Sequence, residues 1–160
     1  MSVHPLIEAI QQSVCSPNAP ATVQHPADDF VAIAEVVQSD RLAAELLTLQ
    51  FSIPKTAAWS LDALKLQARA LAERVQYLLE PLMVIEADAD AATVQLRSTK
   101  PSPVEAGRAY YEVLAKPGTL HLCRYVTRPS APRQKTTMQL THEQLTRLLA
   151  DVAAVVTLDT

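Results

Sequence analysis

Three residue types able to do chemistry sit close together in the stretch YYEVLAKPGTLHLCRY, Tyr110 to Tyr125. Imidazole with thiolate suits zinc, and a carboxylate can complete such a ligand set. Imidazole beside a thiol can also generate a nucleophile. Glu112, His121 and Cys123 supply these groups. The stretch reads as two strands around a Lys116-Pro117-Gly118-Thr119 turn, in which Gly118 supplies the positive φ of a type II turn. Hairpins more often use a type I′ turn or a bulge, which would slip the register by one; in the simple register Val113 faces Leu122 and Ala115 faces Leu120, a core side. Tyr111 meets Arg124 at its edge. The other side pairs Tyr110 with Tyr125, Glu112 with Cys123 and Leu114 with His121, which gives a polar sheet face.

Neither chemistry is complete on that face. A structural metal site wants four ligands and a catalytic one three plus water, and nothing in the sequence brings His4, His25 or His142 nearby. No metal or cofactor is therefore expected. His121 and Cys123 are two apart on a strand, so their tips do not aim at each other, and no helix N-terminus lowers the thiol pKa. Asp88 and Asp90 fall in a turn, whose own chemistry accounts for them. The chain has only two glycines, Gly107 and Gly118, so neither a dinucleotide fingerprint nor a phosphate-binding loop is present. A G-x-S-x-G nucleophile elbow is absent too. His142-Glu143 is followed by Thr146 where a zinc helix would carry its second histidine. The reading leans away from an enzyme. The residues expected at a ligand are Tyr111, Arg124 and Arg97.

The elements that must position these groups follow from periodicity. Residues 3–15 read as a short helix, and Pro17, Pro20 and Pro26 then break structure. Asp28 or Asp29 reads as a cap for a helix carrying Phe30, Ile33, Ala34 and Val37. Ser39 or Asp40 reads as the start of another with Leu42, Leu46 and Leu49. Ala57, Leu61, Leu64, Ala68, Leu71, Val75 and Leu78 form one stripe along about five helical turns. From Leu82 the period becomes two, in LMVIEAD and TVQLRS, then in the hairpin, with TTMQL as a short fifth strand. Thr141 and Gln144 form a capping box for a last helix, with Leu140 and Leu145 as its staple.

The fold expected is α+β. It has N-terminal helices including one long amphipathic helix, an antiparallel four- to five-stranded meander, and a C-terminal helix. Residues 1–27 form an N-terminal helix and Pro-rich linker, and 28–160 a single α+β domain. Within it, helices occupy 28–80, sheet 82–140 and a helix 142–156. Helix, meander and helix in this order are similar in outline to small secretion-chaperone-like domains, a likeness of arrangement alone.

Composition narrows the function classes. The 160 residues are 49% hydrophobic and 19% charged, enough to fold around a core, but only 4% aromatic, so Leu, Val, Ile and Ala must build it. Two cysteines, no basic leader before an apolar run and no long apolar stretch give the expectation of a cytoplasmic protein with reduced thiols and no membrane partner. The net charge is -3, but it is unevenly spread. The first 40 residues hold no Lys or Arg, whereas Arg97 to Lys135 contains eight basic residues against Glu105 and Glu112. Opposite halves of this kind invite docking within or between chains. The preferred function is a non-enzymatic protein–protein interaction or regulatory, chaperone-like module, with self-association as a homodimer or binding to a protein partner. One rival is a small-molecule or catalytic pocket between sheet and long helix, lined by Leu64, Leu71, Leu96 and Val113. The other is nucleic-acid binding through Arg97, Arg124, Arg128, Arg133 and Lys135, with Tyr110 or Tyr125 stacking a base.

Overall fold

The computed structural model describes residues 4–158. Within them a ten-stranded antiparallel sheet carries three helices on one face. In chain order the elements are α1 (Pro5–Gln12), β1 (Ala21–Pro26), β2 (Val31–Ser39), β3 (Ala43–Ser52), α2 (Leu61–Arg74), β4 (Leu82–Asp88) and β5 (Thr93–Ser98). There follow β6 (Ser102–Val104), β7 (Gly107–Lys116), β8 (Thr119–Thr127), β9 (Gln134–Thr136), β10 (Met138–Thr141) and α3 (His142–Val156). The main path across the sheet is β1-β2-β3-β8-β7-β5-β4. Val3, the first residue of the expected N-terminal helix, lies outside the described residues, as do Asp159 and Thr160 at the end of the expected domain.

This corrects the expected fold. The chain is more strand than helix, the sheet has ten strands rather than four or five, and no long helical run precedes it. The largest change is over 28–52, expected to be helical and folded as the β2–β3 hairpin. Its buried positions alternate as Ala32, Ala34 and Val36. Val31 and Ile33 on the opposite face are apolar as well, so the period of two is hidden in the sequence. In β3 a bulge deceives differently. Glu35 pairs with Thr48 and Val36 with Leu46, which leaves Leu47 extra. The bulge resets the phase, so Leu46 and Leu49 share the buried face three residues apart, a helical spacing made by a strand irregularity. Leu42, read as the same stripe, is 74% exposed. Asp40 does cap backbone N–H groups, those of Leu42 (2.7 Å) and Ala43 (2.9 Å), but as the turn of a hairpin.

Strands also occupy segments read as linker or loop. Ala21–Pro26 pairs with β2, β6 closes a tight hairpin onto Gly107–Ala109, and β9 pairs with β8. The long helix is shortened to the 14 residues of α2. Ser60 Oγ accepts from Ala63 N at 3.2 Å to start it, and Gln76 Nε2 donates to the Ala72 carbonyl at 2.7 Å near its end. Residues 75–81 are irregular and bend at 78–80, so the helix stops well short of Pro81. The helix–meander–helix outline behind the likeness to secretion-chaperone-like domains is thus not the observed order.

The C-terminal helix begins on a reciprocal pair of bonds. Thr141 Oγ1 accepts from Gln144 N at 3.0 Å, and Thr141 N donates to Gln144 Oε1 at 2.9 Å. Leu145, Leu148, Leu149, Val152, Val155 and Val156 face inward. The core between α2, α3 and the sheet is close-packed. The void among Phe51, Leu71, Leu78, Val113, Leu122 and Val152 is only ≈ 10 Å³, at the lower limit for one water molecule.

One irregularity positions the candidate site. β3 and β8 pair only where Leu49–Ser52 meets Thr119–Leu122. Beyond that they diverge. β9 runs into the gap antiparallel to β8, the chain turns at Thr137, and β10 leaves antiparallel to β3. The sheet is forked there.

Candidate functional site

The β7–β8 hairpin closes on the two residues Pro117-Gly118, with Gly118 at φ 86°. That conformation is natural to glycine alone. The turn is anchored from outside. Gly118 N donates to Thr56 Oγ1 at 3.0 Å, and Ile53 N donates to the Gly118 carbonyl at 2.7 Å. The register is Val113 opposite Leu122, Ala115 opposite Leu120 and Tyr111 opposite Arg124. On the other face, Tyr110 is opposite Tyr125, Glu112 opposite Cys123 and Leu114 opposite His121. Each face carries a buried glutamate–arginine centre.

On the inner face, Arg124 grips Glu80 with both terminal nitrogens, Nη1 to Oε1 at 2.8 Å and Nη2 to Oε2 at 3.0 Å. Ser98 Oγ donates to Glu80 Oε1 at 3.2 Å and Ser102 Oγ to Oε2 at 2.7 Å. Ser98 Oγ also accepts from Tyr111 N at 2.7 Å. The Arg124 guanidinium lies 4.3 Å from the centre of the Tyr111 ring. Burial pushes the Tyr111 phenol above its usual pKa, with the Glu80 charge adding to it and Arg124 opposing. The centre is a clamp that ties 75–81 to β5, β6 and β8.

Above it, at the fork, lies an open groove of ≈ 590 Å³ that includes Gln38, Glu45, Tyr111, Arg124, Thr137 and Gln139. Thr137 Oγ1 donates to Glu45 Oε1 at 2.6 Å. At the groove's far wall, Tyr77 OH donates to Asp151 Oδ2 at 2.7 Å, and Gln144 Nε2 donates to the Tyr77 carbonyl at 2.9 Å. The Glu80 carboxylate cancels the charge of Arg124, and Glu45 adds a second carboxylate. Beside the groove, the Arg147 guanidinium lies 4.3 Å from the Tyr77 ring centre.

Arg97 is not part of this centre. It pairs across β5 and β7 with Glu112, on the outer face. There Glu112 is 1% exposed and receives three side chains. Arg133 Nη1 reaches Oε2 at 2.5 Å and Nη2 reaches Oε1 at 3.5 Å. Gln95 Nε2 donates to Oε2 at 2.8 Å, and Arg97 Nη2 lies 3.7 Å away. The arginines also cover the two tyrosines. Arg133 sits 3.8 Å from the Tyr125 ring centre and Arg97 4.9 Å from that of Tyr110. Arg133 Nη1 donates to Tyr110 OH at 3.3 Å.

The expected polar face is thus assembled, with Tyr110, Glu112, His121, Cys123 and Tyr125 sharing one side. Burial pushes the Cys123 thiol pKa up, away from the thiolate a nucleophile needs. The Tyr125 phenol is pushed up to about 12, first by its hydrogen bond with Cys123 and then by burial. Burial pushes His121 down, and Lys135 adds to that. Among the described residues, no cluster of three His, Cys, Asp or Glu side chains is placed to hold a metal ion.

Sequence reasoning missed Glu80, Ser98, Ser102, Gln95 and the pairing of Arg133. Glu80 is 44 residues from Arg124. Its one local signal is a carboxylate wedged between Leu79 and Pro81, in a segment otherwise apolar.

Among the described residues, no helix is long and apolar enough to cross a membrane. Compared with protein-family models, characterised proteins and solved structures, the chain matches none.

Proposed function

We propose that the protein is a non-enzymatic interaction module that self-associates through the open edge of β4. The observation that carries this reading is the edge itself. β4 is the last strand of the sheet path and has β5 on one side only. Its first four residues, Leu82-Met83-Val84-Ile85, are apolar, with Met83 47% and Ile85 42% exposed. Natural edges are usually blunted by Lys, Pro or bulges. This one has a bulge at Ile85 and acidic residues beyond it, but no Lys or Pro. At the opposite edge β1 ends in Pro26; each edge strand has a helix against it, α1 on β1 and α2 on β4.

Charge favours a second copy as the occupant. Glu86, Asp88 and Asp90 gather at the far end of β4. At the near end Leu82 pairs with Ser98, Lys100 follows two residues later in sequence, and Arg108 lies on β7, one strand further in than β5. Antiparallel pairing of two β4 strands sets the acidic end of each copy beside the basic end of the other.

The rival readings have less support. A ligand pocket between sheet and α2 meets a filled interior. Nucleic-acid binding would rely on five basic residues, of which Arg97, Arg124 and Arg133 are already engaged by glutamates. The test is light scattering at low and high salt, on the wild type and on Met83→Lys/Ile85→Lys. The wild type is expected as a dimer that salt weakens, and the variant as a folded monomer. A monomeric wild type, or a variant that dimerises equally, would refute the proposal.

A further inference from the structure

α1 is an eight-residue helix on a proline-punctuated tether, too short to persist without docking. Leu6, Ile7 and Ile10 are buried against β1, β2 and α3. At its C-terminal end, the Ile10 carbonyl accepts from Ser13 Oγ at 2.6 Å and from Ser39 Oγ at 3.5 Å. Its N-cap is a histidine. His4 Nδ1 accepts from Leu6 N at 3.1 Å. Only a lone pair on Nδ1 can do this, so the bond fixes the neutral Nε2–H tautomer.

We propose that α1 is a proton-released strap: protonation of His4 breaks its cap and shifts the helix toward an undocked state, uncovering apolar surface on β1, β2 and α3. The charged imidazolium would set an N–H against the Leu6 N–H it now accepts from. It would also place positive charge at the N-terminus of a helix, where the dipole disfavours it.

The surroundings of His4 oppose the proton on balance. His25 of β1 stacks edge-on with its ring centre 5.5 Å away, so a charge on one ring disfavours a charge on the other. Asp28 and Asp29, from the turn after β1, line the same ≈ 300 Å³ groove and pull the other way. α3 contributes Thr146, Leu149 and other uncharged groups there, and Glu8 lies one turn along α1. The net result is a His4 pKa below its ordinary 6.5, from burial first and His25 second. The undocked form therefore binds the proton more tightly. Docking is fully favoured above about pH 6.5 and weakens as pH falls toward the docked pKa.

Hydrogen exchange of the Ile7 to Gln12 amides at about pH 7.5 and 5.5, corrected for intrinsic rates, reads the opening directly. In the wild type the opening constant is expected to rise, by up to about tenfold per pH unit inside the window. His4→Asn keeps a capping acceptor that does not titrate, so its α1 protection should be the same at both pH values. His4→Asp, a cap whose charge suits the helix, serves if the Asn variant is unstable. An unchanged wild type would overturn the proposal. So would an equal rise in the capped variants, which would put the trigger at another group.

Discussion

The two faces of the β7–β8 hairpin hold the same pair of residue types in different ways. On the inner face, Glu80 and Arg124 meet with both members nearly closed off, 3% and 9% exposed at the side chain. On the outer face Glu112 is sealed at 1%, but its arginines, Arg97 and Arg133, keep 38% and 41% of their side chains in solvent. The difference lies in who loses water. In the clamp, both charges are desolvated and each depends on the other. On the outer face only the carboxylate is, and the arginines act as a lid whose positive ends still reach water.

That contrast ranks the substitutions. Arg124→Ala should be the most costly, because it leaves Glu80 buried with only two serines. A loss of about 3–5 kcal/mol in urea unfolding is expected. A paired Glu80→Leu/Arg124→Met change should restore much of it, since neither charge is then stranded. Glu112→Ala comes next, at about 1–2 kcal/mol, because the freed arginines can turn to solvent. If Glu112→Ala proved more costly than Arg124→Ala, the distinction between clamp and lid would collapse.

A smaller effect concerns Cys123. It lies beneath the outer lid with its thiol pushed up by burial, so alkylation near pH 8 should be much slower than at Cys15, and mass spectrometry of the labelled peptides reads both rates. Arg133→Ala should speed labelling of Cys123 and leave Cys15 unchanged. The smallest effect is pH-dependent. His121 has its pKa lowered in the fold, so its contribution is present above about pH 6.5 and is lost as pH falls through the folded value. His121→Asn should flatten that part of the acid limb of a stability–pH curve, without touching the part due to His4.

The same hairpin shows how much of the fold was legible beforehand. Its core-side residues Val113, Ala115, Leu120 and Leu122 alternate, and the simple register about the Pro-Gly turn is the one observed, although a type I′ turn or a bulge would have shifted it by one. The capping box at Thr141 and Gln144 is equally local. The β2–β3 hairpin is not legible in this way. Half-buried Val31 and Ile33 conceal its alternation, and a bulge at Leu47 counterfeits helical spacing. The glutamate centres escaped for another reason. Glu80 and Arg124 are brought together by the path of 75–81 across the sheet, which no local pattern encodes. Charge groups Arg97 with Arg124, whereas strand parity sends its side chain to the opposite face.

The proposed β4 pairing is tested most directly by hydrogen exchange at that strand over a range of protein concentration. Between roughly 1 and 100 μM, protection of the Met83 to Glu86 amides should rise while that of β1 at the other edge stays constant. No change at β4, or an equal rise at both edges, would contradict a specific β4 interface.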